Sequence, residues 1–223
     1  MDRLPLTLAF IHTSHVLIPT FTALARRELP QVKTFHMVDE SLIQNTIAAG
    51  HLTRQTTHRL IQMIGSAHQA GAGAVMVTCS SIGPAIPVAR AVYDFPVLRI
   101  DEAMAEQAVQ SAPRLGVIAT LKTTLDPTVN LLRATAAERQ RPIEVIESLC
   151  AGAFEKVIAG DTDTHDRMVS EALIQLGKRV DAVVLAQASM ARVAEKMAPE
   201  ALIVPVFSSP ELAVRQARQI LSE

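Results

Sequence analysis

The chain has 223 residues, 49% of them hydrophobic, and carries 21 Lys and Arg against 22 Asp and Glu. This length and composition exclude a disordered chain and allow one large domain or two small ones. A net charge of −1 and an aromatic content of 3% argue against nucleic acid as a partner, since nucleic-acid binding uses basic surfaces and stacking side chains. The two cysteines, Cys79 and Cys150, suggest neither a disulfide framework nor a paired metal site, which indicates a reducing compartment.

Two apolar segments need to be weighed as targeting or membrane elements. Residues 4–11 loosely imitate a signal peptide, but His12 and His15 interrupt the apolar region early. Residues 69–89 carry no charge over about the length of a membrane helix, yet glycines and prolines break the stretch. We therefore expect a cytoplasmic protein with no membrane partner.

Short apolar runs rich in β-branched residues alternate with helical stretches along the whole chain. Such alternation predicts an α/β fold with mostly parallel sheets flanked by helices. Apolar residues at helical spacing predict helices over residues 53–70 and 163–178. The eight strands predicted in chain order are residues 6–11, 34–38, 74–78, 97–100, 115–120, 143–146, 182–186 and 203–207.

The second half of the chain repeats the pattern of the first. Residues 73–81 align with residues 181–189, and residues 95–97 with residues 204–206, in nearly the same register. The repeat predicts two similar α/β halves, residues 1–112 and 113–223. Because ligands of open α/β sheets bind beyond the carboxyl ends of the strands, we expect the active site in the cleft between the halves.

Polar residues that directly follow the apolar strands are the candidates for this site. Strand-end hydroxyls and the free N–H groups of a following helix suit a carboxylate or another small oxyanion; helix capping is the alternative explanation. The four clusters are His12-Thr13-Ser14, Thr78-Cys79-Ser80-Ser81, Thr120 with Thr123 and Thr124, and Gln187-Ala188-Ser189.

Cys79 is the most informative of these residues. A helix N-terminus favours a thiolate and would lower the thiol pKa from about 8.5 toward neutrality, so that Cys79 could act as a nucleophile or a base. A buried cysteine that serves as a small hydrophobic residue is the alternative, and this structural interpretation is favoured for Cys150. His12 and His15 could give acid/base help.

Sequence fingerprints for common cofactors are missing. The chain contains neither GxGxxG nor GxxxxGK[ST], which disfavours dinucleotide and P-loop chemistry. The other five histidines show no ligand-like spacing. We therefore expect no cofactor and no metal.

A duplicated α/β chain with Thr78-Cys79-Ser80-Ser81 after a strand resembles the aspartate/glutamate/hydantoin racemase superfamily. Residues 119–123 look like the family's A/G-T-x-x-T element, and residues 183–185 look like the strand before its second catalytic turn. The resemblance covers nearly the whole chain. It implies a cofactor-independent site with two cysteines across a cleft: one removes the α-proton of a carboxylate substrate and the other returns a proton on the opposite face. Backbone amides and hydroxyls would hold the carboxylate and the enolate-like intermediate.

The chain departs from this family pattern at one catalytic position. Cys79 matches the first cysteine, but Gln187 stands where the second is expected. Glutamine has no useful pKa, so ordinary two-thiol racemisation should be lost or greatly slowed. The resemblance implies Cys79 and Gln187 as catalytic residues, and as substrate-binding residues His12, Ser14, Thr78, Ser80, Ser81, Thr120, Thr123, Ala188 and Ser189.

These residues predict a cofactor-independent isomerase or lyase that acts on a small carboxylate through Cys79. One-base proton transfer, decarboxylation and cis–trans isomerisation all fit a single thiol. The alternative is an inactive protein that binds or senses a small carboxylate. A hydrolase-like use of Cys79 would need His12 or His15 within hydrogen-bond reach. By the resemblance we also expect a homodimer or a larger homo-oligomer.

Overall fold

A computed structural model describes residues 6–222; the first two residues of the signal-like segment, Leu4 and Pro5, lie outside this range. The chain divides into two compact units. The first unit contains the chain up to Ile100 and again from Pro210, and the second unit spans Asp101–Ser209.

Eight strands and ten α-helices follow one another in the described residues. The elements up to Ile100 are β1 (Thr7–His12), α1 (Ile18–Glu28), β2 (Lys33–Val38), α2 (Ser41–Ala49), α3 (Arg54–Gln69), β3 (Ala74–Val77), α4 (Ile86–Val92) and β4 (Val97–Arg99). The remaining elements are α5 (Glu102–Ser111), β5 (Arg114–Ala119), α6 (Lys122–Glu138), β6 (Glu144–Leu149), α7 (Ala153–Ile158), α8 (Thr162–Gly177), β7 (Ala182–Leu185), α9 (Ala191–Lys196), β8 (Val206–Ser208) and α10 (Ser209–Ser222).

Each unit contains one four-stranded parallel sheet. The strand order is β2-β1-β3-β4 in the first unit and β6-β5-β7-β8 in the second. The central strands read as continuous apolar runs because helices cover both faces of a parallel sheet, and all four residues of β3 and of β7 are buried. The predicted fold class is confirmed, and the same topology occurs in both halves.

The predicted strands are all present, with small differences at their ends. The largest differences fall on β6 and β8, which are edge strands and only partly buried. Strand β6 continues through the polar residues Glu147 and Ser148, which the apolar pattern does not include, whereas β8 begins three residues later than predicted. Helix α3 begins after an N-cap at Thr53, and α8 begins after an N-cap at Asp161, close to the predicted starts.

Two helices belong to units other than the halves in which residues 1–112 and 113–223 place them. Helix α5 packs against α6, β7 and β8 and so belongs to the second unit. Helix α10 belongs to the first unit, where Arg218 pairs with the buried carboxylate of Glu28 on α1 at 3.0 Å. The sequence repeat shows which elements correspond, but it does not show on which sheet a connecting helix packs.

No helix within residues 6–222 combines the length and the apolar character needed to cross a bilayer.

Candidate functional site

The turn that carries Cys79 lies at the carboxyl end of the central strand β3. Thr78 and Cys79 continue the extended chain beyond Val77, and Cys79 has φ −131° and ψ 116° as the N-cap of a 3-10 turn, Ser80–Ala85. This turn leads directly into α4. Ser80 and Ser81 are buried, whereas Cys79 keeps partial exposure.

Four hydrogen-bond donors surround the sulfur of Cys79. They are the hydroxyls of Thr13 and Ser81 and the backbone N–H groups of Ser81 and Ile82. Each of them favours the thiolate, but burial outweighs them, and the net effect raises the pKa of the Cys79 thiol. The expectation of a lowered pKa at this turn is therefore wrong: the thiol is protonated at neutral pH.

The hydroxyl of Thr13 is expected to stabilise the Cys79 thiolate measurably. Thr13→Val keeps the side-chain shape but removes one of the four donors, so the pKa of Cys79 should rise further. We expect iodoacetamide to alkylate Cys79 severalfold more slowly at pH 8.5, since a hydrogen bond to a charged group contributes about 1.5–3 kcal/mol when fully formed. Peptide mass spectrometry separates Cys79 from Cys150, and Thr13→Ser is the matched control. Equal alkylation rates in both variants would contradict the assignment.

His12 lies behind this turn and not among groups open to a ligand. Its side chain is fully buried, Nδ1 lies 2.7 Å from Thr78 Oγ1, and Nε2 lies 2.8 Å from His36 Nδ1. Burial together with the neighbouring His36 lowers the pKa of His12 to about 4. The prediction that His12 contacts the substrate is thus not supported, because both ring nitrogens are already bonded within the protein.

His15 also offers no base for Cys79. Its side chain is 74% exposed, and Nδ1 lies 3.0 Å from Glu40 Oε1. With His12 and His15 both bonded elsewhere, a hydrolase-like pair with Cys79 has no support. Among residues 6–222, no group of three His, Cys, Asp or Glu side chains is placed to hold a metal ion.

The second unit places Gln187 in the equivalent position of its own sheet. Gln187 follows β7 by two residues, as Cys79 follows β3, and is the N-cap of a 3-10 turn, Ala188–Met190, with φ −116° and ψ 135°. Both ends of its amide bond to Thr120: Oε1 accepts from the Thr120 N–H at 2.7 Å, and Nε2 donates to Thr120 Oγ1 at 2.6 Å. The Gln187 side chain is thus bonded to the first residue after β5.

The remaining predicted site residues lie near these two turns, each group within its own unit. In the second unit Ala188 and Ser189 are half-buried, and Thr123 has a buried hydroxyl that bonds no described group. In the first unit Ser14 is half-buried and caps no helix through its side chain. The predicted residues therefore gather at the carboxyl ends of the central strands of the two sheets.

The sequence places Thr13 among the strand-end candidates but not among the predicted substrate-binding residues, and it gives no indication of Arg99. Thr13 bonds the Cys79 sulfur, and it corresponds to Thr120, since each is the first residue after its strand; this correspondence in the repeat was the available signal. Arg99 is buried at the end of β4, and a methyl group at Gly83 in the Cys79 turn would collide with its guanidinium. No sequence pattern indicated that contact.

The comparisons with known proteins agree with this architecture. The model of the Asp/Glu/Hydantoin racemase family matches residues 11–217, so the chain belongs to this family. A search of curated protein sequences gave no significant match.

Solved structures of the same fold include three racemases of different named substrates. A glutamate racemase isoform from Bacillus anthracis matches with a TM-score of 0.77 and 19% identity, over 97% of this chain and 82% of that one. An allantoin racemase from Klebsiella pneumoniae matches with a TM-score of 0.73 and 19% identity, over 97% and 88%. An aspartate racemase from Picrophilus torridus matches with a TM-score of 0.73 and 14% identity, over 96% and 94%.

Proposed function

We propose that this protein is a cofactor-independent enzyme that transfers a proton to or from a small carboxylate substrate through Cys79 alone. The observation that carries the proposal is the Cys79 sulfur with its four hydrogen-bond donors at the end of β3. Family membership supports racemase-like chemistry, which a thiol performs without a cofactor. A small carboxylate substrate, a homodimer or larger homo-oligomer, and a cytoplasmic location belong to the same proposal.

The protonation state of Cys79 supports a role as proton donor. Burial keeps the thiol neutral, and a neutral thiol can deliver a proton to a carbanion as it forms. In the decarboxylation of a malonate-like acid, the C–C bond breaks, CO₂ leaves, and the electron pair on the α-carbon takes the proton of Cys79. For proton abstraction the thiol must first lose its proton, which the four donors around the sulfur would assist.

Gln187 gives this chemistry a stereochemical consequence. The amide does not titrate, and both its ends are bonded to Thr120. If Gln187 occupies the place of the family's second cysteine, no thiol can return a proton on the opposite face. Proton exchange should then occur with retention of configuration, and decarboxylation should give one enantiomer. Ser80, Ser81, Thr120, Thr123, Ala188 and Ser189 remain the proposed substrate contacts, whereas the Thr78 hydroxyl is already bonded to His12 and to the Ile11 oxygen.

Proton NMR in deuterated buffer tests the proposal. The panel contains both enantiomers of aspartate and glutamate, monosubstituted hydantoins, arylmalonates and maleate. We expect one compound class to lose its α-proton signal, decarboxylate or isomerise, and chiral chromatography to show one configuration. Protein alkylated at Cys79 is the control for uncatalysed exchange.

The other outcomes each overturn part of the proposal. Line broadening without any conversion would identify a small-carboxylate binding protein instead of an enzyme. Full racemisation would show that a second proton carrier exists and that Gln187 does not limit the reaction.

A further inference from the structure

A continuous chain of hydrogen bonds runs through the first unit to the strand end that precedes Cys79. Thr22 Oγ1 lies 3.0 Å from His36 Nε2, and His36 Nδ1 lies 2.8 Å from His12 Nε2. His12 Nδ1 lies 2.7 Å from Thr78 Oγ1, which donates to the backbone oxygen of Ile11 at 3.0 Å. The links therefore connect α1, β2, β1 and β3.

The direction of each hydrogen bond follows from the last link. The single hydroxyl proton of Thr78 points to the Ile11 oxygen, so Thr78 Oγ1 must accept a hydrogen bond from His12 Nδ1–H. With both imidazoles neutral, His12 Nε2 carries no proton and accepts from His36 Nδ1–H, and His36 Nε2 accepts from the Thr22 hydroxyl. A proton added to either ring would reverse the link to Thr22, so this arrangement is that of two neutral imidazoles. Burial lowers the pKa of both rings, in agreement with this arrangement.

The chain ends in a double connection between β1 and β3. His12 binds Thr78, and the next residues along each strand, Thr13 and Cys79, bind each other. The backbone N–H of Thr78 also donates to the Ile11 oxygen at 3.0 Å. The conformation of Thr78 is therefore fixed by three hydrogen bonds directly before the cysteine.

The second unit contains only half of this connection. Gln187 and Thr120 bond each other as Cys79 and Thr13 do. The positions that correspond to His12 and Thr78, however, are Ala119 and Ala186, which cannot form a side-chain hydrogen bond.

The second unit also has a different residue at the position that corresponds to His36. His36 is the fourth residue of β2, and the fourth residue of β6 is Glu147, an exposed side chain that lies 3.7 Å from Arg133. The chain of hydrogen bonds is therefore present in the repeat that holds a cysteine and lacks a counterpart in the repeat that holds a glutamine.

We propose that Thr22 and His36 are positioning residues for Cys79, acting through His12 and Thr78 to hold the sulfur against its hydrogen-bond donors. This inference rests on the proposed function of Cys79. Neither residue is among the groups proposed to touch the substrate, so their effect should fall on turnover and thiol reactivity and not on substrate affinity.

Two variants of increasing severity test the inference. Thr22→Val removes the first hydroxyl of the series and keeps the shape of the side chain. His36→Phe removes both ring nitrogens but keeps a flat ring beside Phe10; the ring centroids of His36 and Phe10 lie 5.3 Å apart. Thr22→Ser should restore the wild-type behaviour. Thr57→Val is the matched control. The Thr57 hydroxyl on α3 donates to the backbone oxygen of Thr53, so it takes no part in the chain of hydrogen bonds from Thr22 to Thr78.

The main readout is the pH profile of Cys79 alkylation by iodoacetamide, which needs no substrate. We expect Thr22→Val and His36→Phe to raise the midpoint of this profile and to slow alkylation at pH 8.5 about fivefold, the effect of one lost hydrogen bond. Once a substrate is identified, kcat of Thr22→Val and His36→Phe should fall by a similar factor while KM stays constant. Thr22→Ser and Thr57→Val should leave the pH profile of alkylation, kcat and KM unchanged.

A midpoint that stays constant or falls in both variants would overturn the positioning role. A raised midpoint in a protein that converts no compound would keep the positioning role and overturn the proposed function. Because alkylation and turnover are measured separately, the failure of one proposal is distinguishable from the failure of the other.

Discussion

Replacing Cys79 by alanine is expected to reduce the turnover of any converted carboxylate by about two to four orders of magnitude, the usual contribution of a positioned acid or base. The other cysteine, Cys150, lies in the core of the second unit. The hydroxyls of Thr13 and Ser81 remain in the variant, but they titrate far outside the working range. Initial rates from the NMR assay, compared at equal protein concentration, measure the loss.

Cys150→Ala is the matched control for this prediction. The Cys150 sulfur packs among apolar side chains and lies 3.9 Å from the Met168 backbone oxygen, so its loss should lower stability modestly and leave the rate constant unchanged. Binding of the same compound to Cys79→Ala should persist, because the proposed carboxylate-binding groups are intact. If Cys79→Ala retains its turnover while Cys150→Ala loses it, the wrong thiol has been assigned.

The fold was predictable from the sequence because its signals are local. The buried runs 74–77 and 182–185 are apolar throughout, as parallel strands covered on both faces must be. The correspondence of Cys79 with Gln187 also follows from the repeat, and both residues take the same place after equivalent strands.

The electrostatics of the site were not predictable, because they depend on distant contacts. The sequence places Cys79 at the start of a helical turn but contains no measure of its burial, and burial decides the direction of its pKa shift. His12 and His36 are far apart in the chain and meet only because β1 and β2 are neighbours. A histidine at a strand end looks equally suited to a ligand or to the core, and only packing separates the two.

The neutral, buried state of His12 should make the first unit sensitive to acid. The folded state lowers the pKa of His12 from 6.5 to about 4. Between these values the unfolded chain binds a proton that the folded chain excludes, so the free energy of unfolding must fall as the pH falls. At about 1.36 kcal/mol for each pKa unit, His12 alone should lower the free energy of unfolding by about 3 kcal/mol from pH 7 to pH 4. His36 acts in the same direction, because burial lowers its pKa too.

Tyrosine fluorescence offers a direct measurement in this unit. Tyr93 is the single tyrosine of the chain, and its hydroxyl donates to the Ile61 backbone oxygen in the first unit. Urea unfolding followed by the fluorescence of Tyr93 should show that the free energy of unfolding of the wild-type protein decreases from pH 7 to pH 4. In His12→Asn the decrease should be smaller by about 3 kcal/mol, whatever the stability of the variant at pH 7.

The comparison between proteins separates the contacting pair His12 and His36 from the other titrating groups. Asp39, whose pKa is lowered by its hydrogen bonds to Ser41 and Arg59 against the opposing effect of burial, also loses stabilisation in acid, but equally in both proteins. His58→Asn removes an exposed histidine from α3 of the same unit and should leave the wild-type slope unchanged. If the free energies of unfolding of the wild-type protein and His12→Asn show parallel pH dependences, folding does not lower the pKa of His12. Two neutral imidazoles between Thr22 and Thr78 would then not describe this chain of hydrogen bonds.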